Sequence, residues 1–262
     1  MLSKNTKDNL DNLNLKPVKH AGQNFLVSEE IIEKIISSAK IKKGETILEV
    51  GPGTGNLTEA LLSAGAKVTA IEKDHNLSEV LKSKVKSQKL KVIEEDILNF
   101  DEAAIKKPYR IIANIPYYLT GQLLQKFLSS KNKPKEMVLM VQKEVGERIT
   151  ANPPKMNYLS AFVQTLADAK MLFLVEKTNF WPQPDVDSAI IKLVPHKTRI
   201  NKPFIAFLKT AFKQPRKTLF NNLRNGGMQN AEKVLIELDL DKKTRGQDLS
   251  IEQLKNLFSK LK

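Results

Sequence analysis

The sequence predicts a doubly wound, mostly parallel α/β sheet followed by a small all-helical domain, on three observations. Short apolar runs alternate with helical stretches over the first three quarters of the chain, a glycine-rich turn joins one such run to the helix after it, and beyond Pro195 the pattern is wholly helical. Alternation of this kind places parallel strands side by side, joined by crossover helices.

Residues 1–19 are polar, rich in Lys and Asn and without a sustained period, as in a mobile basic arm. In "SEEIIEKIISSAK", Ile31, Ile32, Ile35, Ile36 and Ala39 recur at helical spacing behind Ser28, a natural cap. The strands follow as "TILEV" (46–50), "KVTAI" (67–71), "KVIEE" (91–95), "RIIAN" (110–114) and "MVLMVQ" (137–142), with helical stretches such as "LTEALLSAG" and "LTGQLLQKFLSS" between them. "KMLFLVE" and "SAIIKLV", separated by the Pro-rich "KTNFWPQPDVD", suit an antiparallel pair at one sheet edge. After "PHKTRINKP" come four helical segments. The expected division is an arm over 1–19, an α/β domain over 20–195 and a helical domain over 196–262, with no role assigned to "ANPPKMN" (151–157).

Composition narrows the function. The 262 residues are 41% hydrophobic, enough for a substantial core. No run approaches the length of a membrane span and the polar N-terminus has no signal-peptide segment, so a cytoplasmic protein is expected. Without cysteine, and with three scattered histidines (His20, His75, His196), thiol chemistry is excluded and no metal site is expected. The net charge is +14, and from His196 onward 15 Lys/Arg face 6 Asp/Glu, which favours a nucleic acid as partner and puts its contacts in the helical domain. Nothing in the pattern requires an obligate dimer, and a monomer is expected.

"ILEVGPGTGNLTEALL" runs from strand into helix, with Gly51, Gly53 and Gly55 in the turn, where backbone can approach a ligand closely and helix amides point at it. The spacing is E-x-G-x-G-x-G and not the dinucleotide fingerprint G-x-G-x-x-G; the Walker pattern for triphosphates is also missing. Glu72 ends the second strand, 17 residues after Gly55, placed to accept from two ribose hydroxyls, and Asp96 follows the third, placed to take the exocyclic amine of an adenine. An adenosine-containing ligand is expected at the carboxyl ends of these strands.

Asn114 closes the next strand and "NIPY" follows. Pro116 fixes its own φ and biases Ile115 toward extended geometry, so the Ile115 carbonyl turns outward beside the Asn114 amide oxygen. Two such acceptors match the two hydrogens of a planar aromatic amine, and Tyr117 offers a ring on which its base can stack.

The blocks "GQNFL" (22–26), "EVGPGTG" (49–55), "IEKD" (71–74), "NIPY" (114–117), "FWPQPDVDSAIIKL" (180–193) and "FKQPRKTLFNNL" (212–223) together resemble, in order and spacing, the small-subunit ribosomal RNA adenine dimethyltransferases. The resemblance covers residues 17–262 and implies a Rossmann-like class I methyltransferase fold. It further implies S-adenosylmethionine as cofactor and N6,N6-dimethyladenosine at two adjacent adenines in the 3′-terminal hairpin of small-subunit rRNA as product. It places Gln23, Asn24, Leu26, Gly51, Gly53, Glu72, Asp96 and Asn114 around the cofactor, and Asn114, Ile115, Pro116 and Tyr117 at the target base. Phe180 would be a second aromatic wall there, with Trp181 beside it as the alternative ring and a core role as the alternative for Phe180. Lys213, Arg216, Lys217 and Arg224 are the expected RNA contacts, ahead of a helix whose Leu219, Phe220 and Leu223 face inward. Ile115 stands where the family more often has Leu, and Pro215 where relatives commonly carry a second basic residue. Two other readings remain: a large-subunit methyltransferase conferring macrolide resistance, which shares the Asn-Ile-Pro-Tyr corner, and a non-catalytic assembly or transcription factor on the same fold.

Overall fold

The computed structural model describes residues 23–105, 108–198 and 200–261, so the expected arm over 1–19 lies outside the described residues. The strands are β1 (Phe25–Leu26), β2 (Thr46–Val50), β3 (Lys67–Glu72), β4 (Leu90–Glu94), β5 (Tyr109–Asn114), β6 (Met137–Gln142), β7 (Ala167–Val175), β8 (Phe180–Trp181) and β9 (Ser188–Pro195). Helices α1 (Glu29–Ala39), α2 (Asn56–Ser63), α3 (His75–Lys84) and α4 (Thr120–Ser129) fall between the strands. Packing divides the chain into two compact units, one running through Gly146 and resuming over Lys170–Pro195, the other comprising Glu147–Ala169 and the chain from His196 on.

The first unit carries a seven-stranded sheet in the order β4-β3-β2-β5-β6-β9-β7, and β1 and β8 form a separate two-stranded sheet. β2 pairs in parallel with both β3 and β5, β3 with β4, and β5 with β6, while β9 runs antiparallel to β6. β9 and β7, the two runs expected at a sheet edge, are neighbours there. In β5 and β6 every residue but the last is buried, the pattern of a strand covered on both faces. Ser28 caps α1, its Oγ accepting from Ile31 N, and Ile31, Ile32 and Ile35 pack with Leu57 and Leu61 of α2 over Val68, Ile112 and Val138 of the sheet. At the amino end of β5 the buried Arg110 is matched by Glu45 at 2.9 Å and by Glu136, which offsets the cost of a charge taken out of water. The chain runs outward through β2, β3 and β4 and then returns to β5 on the other side of β2. That reversal opens a crevice at the carboxyl ends of β2 and β5.

The second unit is larger than the expected 196–262, because residues 147–169 belong to it. Helix α5 (Lys143–Thr150) crosses into it, and α6 (Tyr158–Leu166) buries Ala161, Phe162 and Val163. The latter packs against α7 (Lys202–Ala211) and against the last helix of the chain. The segment 151–157, without a role in the sequence, supplies the cap: Asn157 Oδ1 accepts from Leu159 N and Ser160 N while Ser160 Oγ accepts from Asn157 N. Helices α8 (Leu219–Asn225), α9 (Ala231–Glu237) and α10 (Ile251–Leu261) complete the unit, with Phe204, Phe207 and Phe258 forming a ring cluster at centroid distances of 5.3–5.8 Å.

Candidate active site

Gly51 follows β2, Glu72 ends β3, Asp96 follows β4 and Asn114 ends β5, so the sheet brings all four to one edge. They line a single cavity of about 430 Å³ together with Gln23, Asn24, Leu26, Gly53, Ile115, Pro116 and Tyr117. The glycine loop is held between two rings. Gly51 (φ 62°) and Gly53 (φ 55°) occupy left-handed conformations, and a Cβ on Gly53 would stand 2.9 Å from Phe25 Cδ1, one on Gly51 3.3 Å from Pro116 Cδ.

The acids differ in environment. Glu72 is 7% exposed, its Oε2 accepting from Gly53 N at 3.3 Å and its Oε1 from Asp74 N at 3.0 Å; burial holds its carboxyl above the usual range against the pull of these amides. Glu49, two residues before Gly51, is fully buried and accepts from the Thr58 hydroxyl at 2.7 Å, and burial pushes its carboxyl up to about 8. Asp96 lies lower than an ordinary carboxylate, chiefly because Leu98 N donates to Oδ1 at 2.9 Å and then because Lys73 Nζ bonds Oδ2 at 2.9 Å. Around the rim, Gln23 Nε2 donates to Asp74 Oδ2 at 3.4 Å and Asn56 Nδ2 to the Leu26 carbonyl at 2.9 Å.

At the corner after β5, Asn114 Nδ2 donates to the Asn24 carbonyl at 3.1 Å. This assigns the amide's orientation and leaves Oδ1 as the end without a partner among the described residues; the Ile115 carbonyl likewise accepts nothing among them. The Ile115 side chain is 1% exposed and anchors the backbone there. Tyr117 is half-buried, with its hydroxyl 2.8 Å from Ser188 Oγ, and burial pushes the phenol above its ordinary range.

Phe180 is not on this cavity. In β8 it pairs with Leu26 and packs in the core with Ile31, Ile32 and Val175. Alternation along the strand sends Trp181 to the other side, against Phe25 and Leu77, which do line the cavity.

In the second unit Lys213, Arg216, Lys217 and Arg224 are all exposed. The loop carrying the first three is closed by the buried Asn222, whose Oδ1 accepts from Gln214 N at 3.0 Å and whose Nδ2 donates to Gln214 O at 3.1 Å. Leu219 and Leu223 are buried as expected; Phe220 is only half-buried, and the Arg224 guanidinium lies 6.0 Å from its ring centroid.

Sequence reasoning assigned nothing to Phe25, Lys73 or Ser188, and noted Glu49 only as an acid before the glycines. The "IEKD" and "DVDS" blocks contained two of these, but their partners lie 23 and 71 residues away.

The family model described as ribosomal RNA adenine dimethylase matches residues 14–262. The chain is 38% identical to Ribosomal RNA small subunit methyltransferase A of Clostridioides difficile, over 95% of this chain and 92% of that protein. It is 39% identical to the protein of the same name from Deinococcus radiodurans, over 94% and 86%. Among solved structures, a dimethyladenosine transferase from Plasmodium falciparum superposes with a TM-score of 0.77 at 29% identity, covering 89% of this chain and 97% of that one. A match that runs from residue 14 to residue 262, through both units, places this chain in the ribosomal RNA adenine dimethylase family.

Proposed function

We propose that this protein transfers methyl groups from S-adenosylmethionine to N6 of two adjacent adenines in the 3′-terminal hairpin of small-subunit rRNA, during ribosome biogenesis. The observation that carries the reading is the pair of unpartnered acceptors, Asn114 Oδ1 and the Ile115 carbonyl, beside the cavity at the end of β5.

The cavity residues fit the methyl donor. Its volume is that of a small-molecule site. The Glu72 carboxylate accepts from backbone N–H groups and keeps lone pairs for the ribose hydroxyls, while Asp96 presents acceptors for the adenine amine and the Gly51–Gly53 backbone lies open to the amino-acid portion. S-Adenosylmethionine bound there supplies an electrophilic methyl group. The rest falls to the chain. An adenine N6 lone pair is delocalised into its ring, and Asn114 Oδ1 and the Ile115 carbonyl, by accepting both amine hydrogens, favour a pyramidal nitrogen as it attacks. As the N–C bond forms, the S–C bond breaks and the nitrogen sheds a proton to solvent, so no basic side chain is required. Tyr117 offers the face on which the base stacks. Lys213, Arg216, Lys217 and Arg224 contact phosphates, supplying affinity without sequence readout. Action as a cytoplasmic monomer, independent of a metal ion, belongs to the same proposal.

The test uses methyl-labelled S-adenosylmethionine with separated small and large ribosomal subunits that lack the modification, followed by digestion and mapping of the labelled nucleoside. The expected product is N6,N6-dimethyladenosine in small-subunit rRNA; label confined to the large subunit, or none, overturns the reading.

A further inference from the structure

The hydroxyl of Tyr117 and Oγ of Ser188 are 2.8 Å apart, although 71 residues separate them. Tyr117 opens the short turn that follows "NIP", while Ser188 is the first residue of β9, paired with Gln142 of β6. Ser188 is fully buried and its position is fixed from both sides. The Asp187 carbonyl accepts from Lys143 N at 2.9 Å, and Asp187 Oδ1 accepts from Lys177 N at 3.0 Å, which closes the loop leading into β9. The partner offered to the Tyr117 phenol is therefore a rigid one.

A tyrosine in a turn has two side-chain torsions, and tying its far end to the sheet removes freedom from both. The ring then presents one face in one orientation beside the acceptors of Asn114 and Ile115. Stacking does not require a hydroxyl on the ring, and phenylalanine would stack equally well; what the phenol adds is the anchor. We propose that Ser188 is a positioning residue for the methyl transfer, its hydroxyl holding the Tyr117 ring in the plane against which the target adenine stacks. This inference rests on the function proposed above.

The bond can be cut from either end. Tyr117→Phe removes the phenol oxygen and leaves β9 untouched, while Ser188→Ala removes the hydroxyl and leaves the ring. Because a misplacement of about 1 Å in an active site costs on the order of 10²-fold in rate, partial freedom of the ring is expected to slow single-turnover methylation of unmodified small subunits by about tenfold in each variant. Dissociation constants for S-adenosylmethionine and for the subunit are expected to stay within about twofold of wild type, a split between turnover and binding that loss of fold does not give. The double variant is expected to be no slower than either single one, since both remove the same bond. Wild-type turnover in Ser188→Ala with a lowered melting temperature, or a double variant whose loss is the product of the two single losses, overturns the inference and leaves the proposed function standing. A wild-type protein that does not methylate the subunits overturns the proposed function, and this inference with it.

Discussion

The side-chain nitrogen of Asn114 donates to the carbonyl of Asn24 across 3.1 Å, binding the end of β5 to the segment that leads into β1. An asparagine amide has a donor end and an acceptor end, and fixing the first fixes the second. Asn24 thus bears on the proposed chemistry through a backbone oxygen: it takes the donor end of the Asn114 amide and leaves Oδ1 as the acceptor without a partner among the described residues. The next residue, Phe25, packs against Gly53, so two consecutive residues orient the acceptor and support the glycine loop.

Glu72→Ala is expected to weaken S-adenosylmethionine binding with little effect on subunit binding. Two hydrogen bonds to a charged group, at about 1.5–3 kcal/mol each, correspond to a loss on the order of 10²- to 10⁴-fold. Calorimetric titration measures it, and an unchanged dissociation constant rejects the ribose assignment.

The sheet was legible because its strands obey simple periodicities. "TILEV" and "MVLMVQ" are short, mostly apolar runs rich in β-branched residues, and both match the observed strands residue for residue. The strand-end acids and Asn114 were legible for the same reason, since a strand's end locates its last side chain. β1 and β8 were not, because two residues carry no period, and the side on which Phe180 lies is decided by its pairing with Leu26. The place of residues 147–169 was hidden for another reason: α6 precedes β7 in the chain, yet its buried face meets helices from beyond residue 200. The anchors Lys73 and Ser188 depend on partners remote in sequence, and a lone hydroxyl or ammonium has no pattern of its own.

Glu49 makes stability depend on pH. Its carboxyl titrates near 4.5 in the unfolded chain and near 8 when folded, so between those values the folded protein holds the extra proton. Its contribution is complete below 4.5 and is lost as pH rises through 8. Glu49→Gln stays neutral throughout. Denaturant midpoints at pH 5 and pH 8 are expected to fall more for wild type than for the variant, and parallel curves exclude a protonated Glu49.

Replacing Arg216 and Lys217 together with Ala is expected to weaken binding to the small subunit and to flatten its salt dependence, the slope of log K against log salt falling by about 1.4 to 1.8 for two phosphate contacts. Affinity for S-adenosylmethionine is expected to stay unchanged, since its residues belong to the other unit. Binding isotherms across low to moderate salt decide it, and coincident slopes remove both residues from the RNA interface.

The central claim is that Asn114 acts on the transferring nitrogen and not on binding, and single-turnover methylation of unmodified small subunits by Asn114→Ala tests it most directly. Loss of an acceptor that strengthens only in the transition state is expected to slow transfer on the order of 10²-fold or more, at nearly unchanged affinity for the subunit and S-adenosylmethionine. A variant that transfers methyl groups at the wild-type rate contradicts the account.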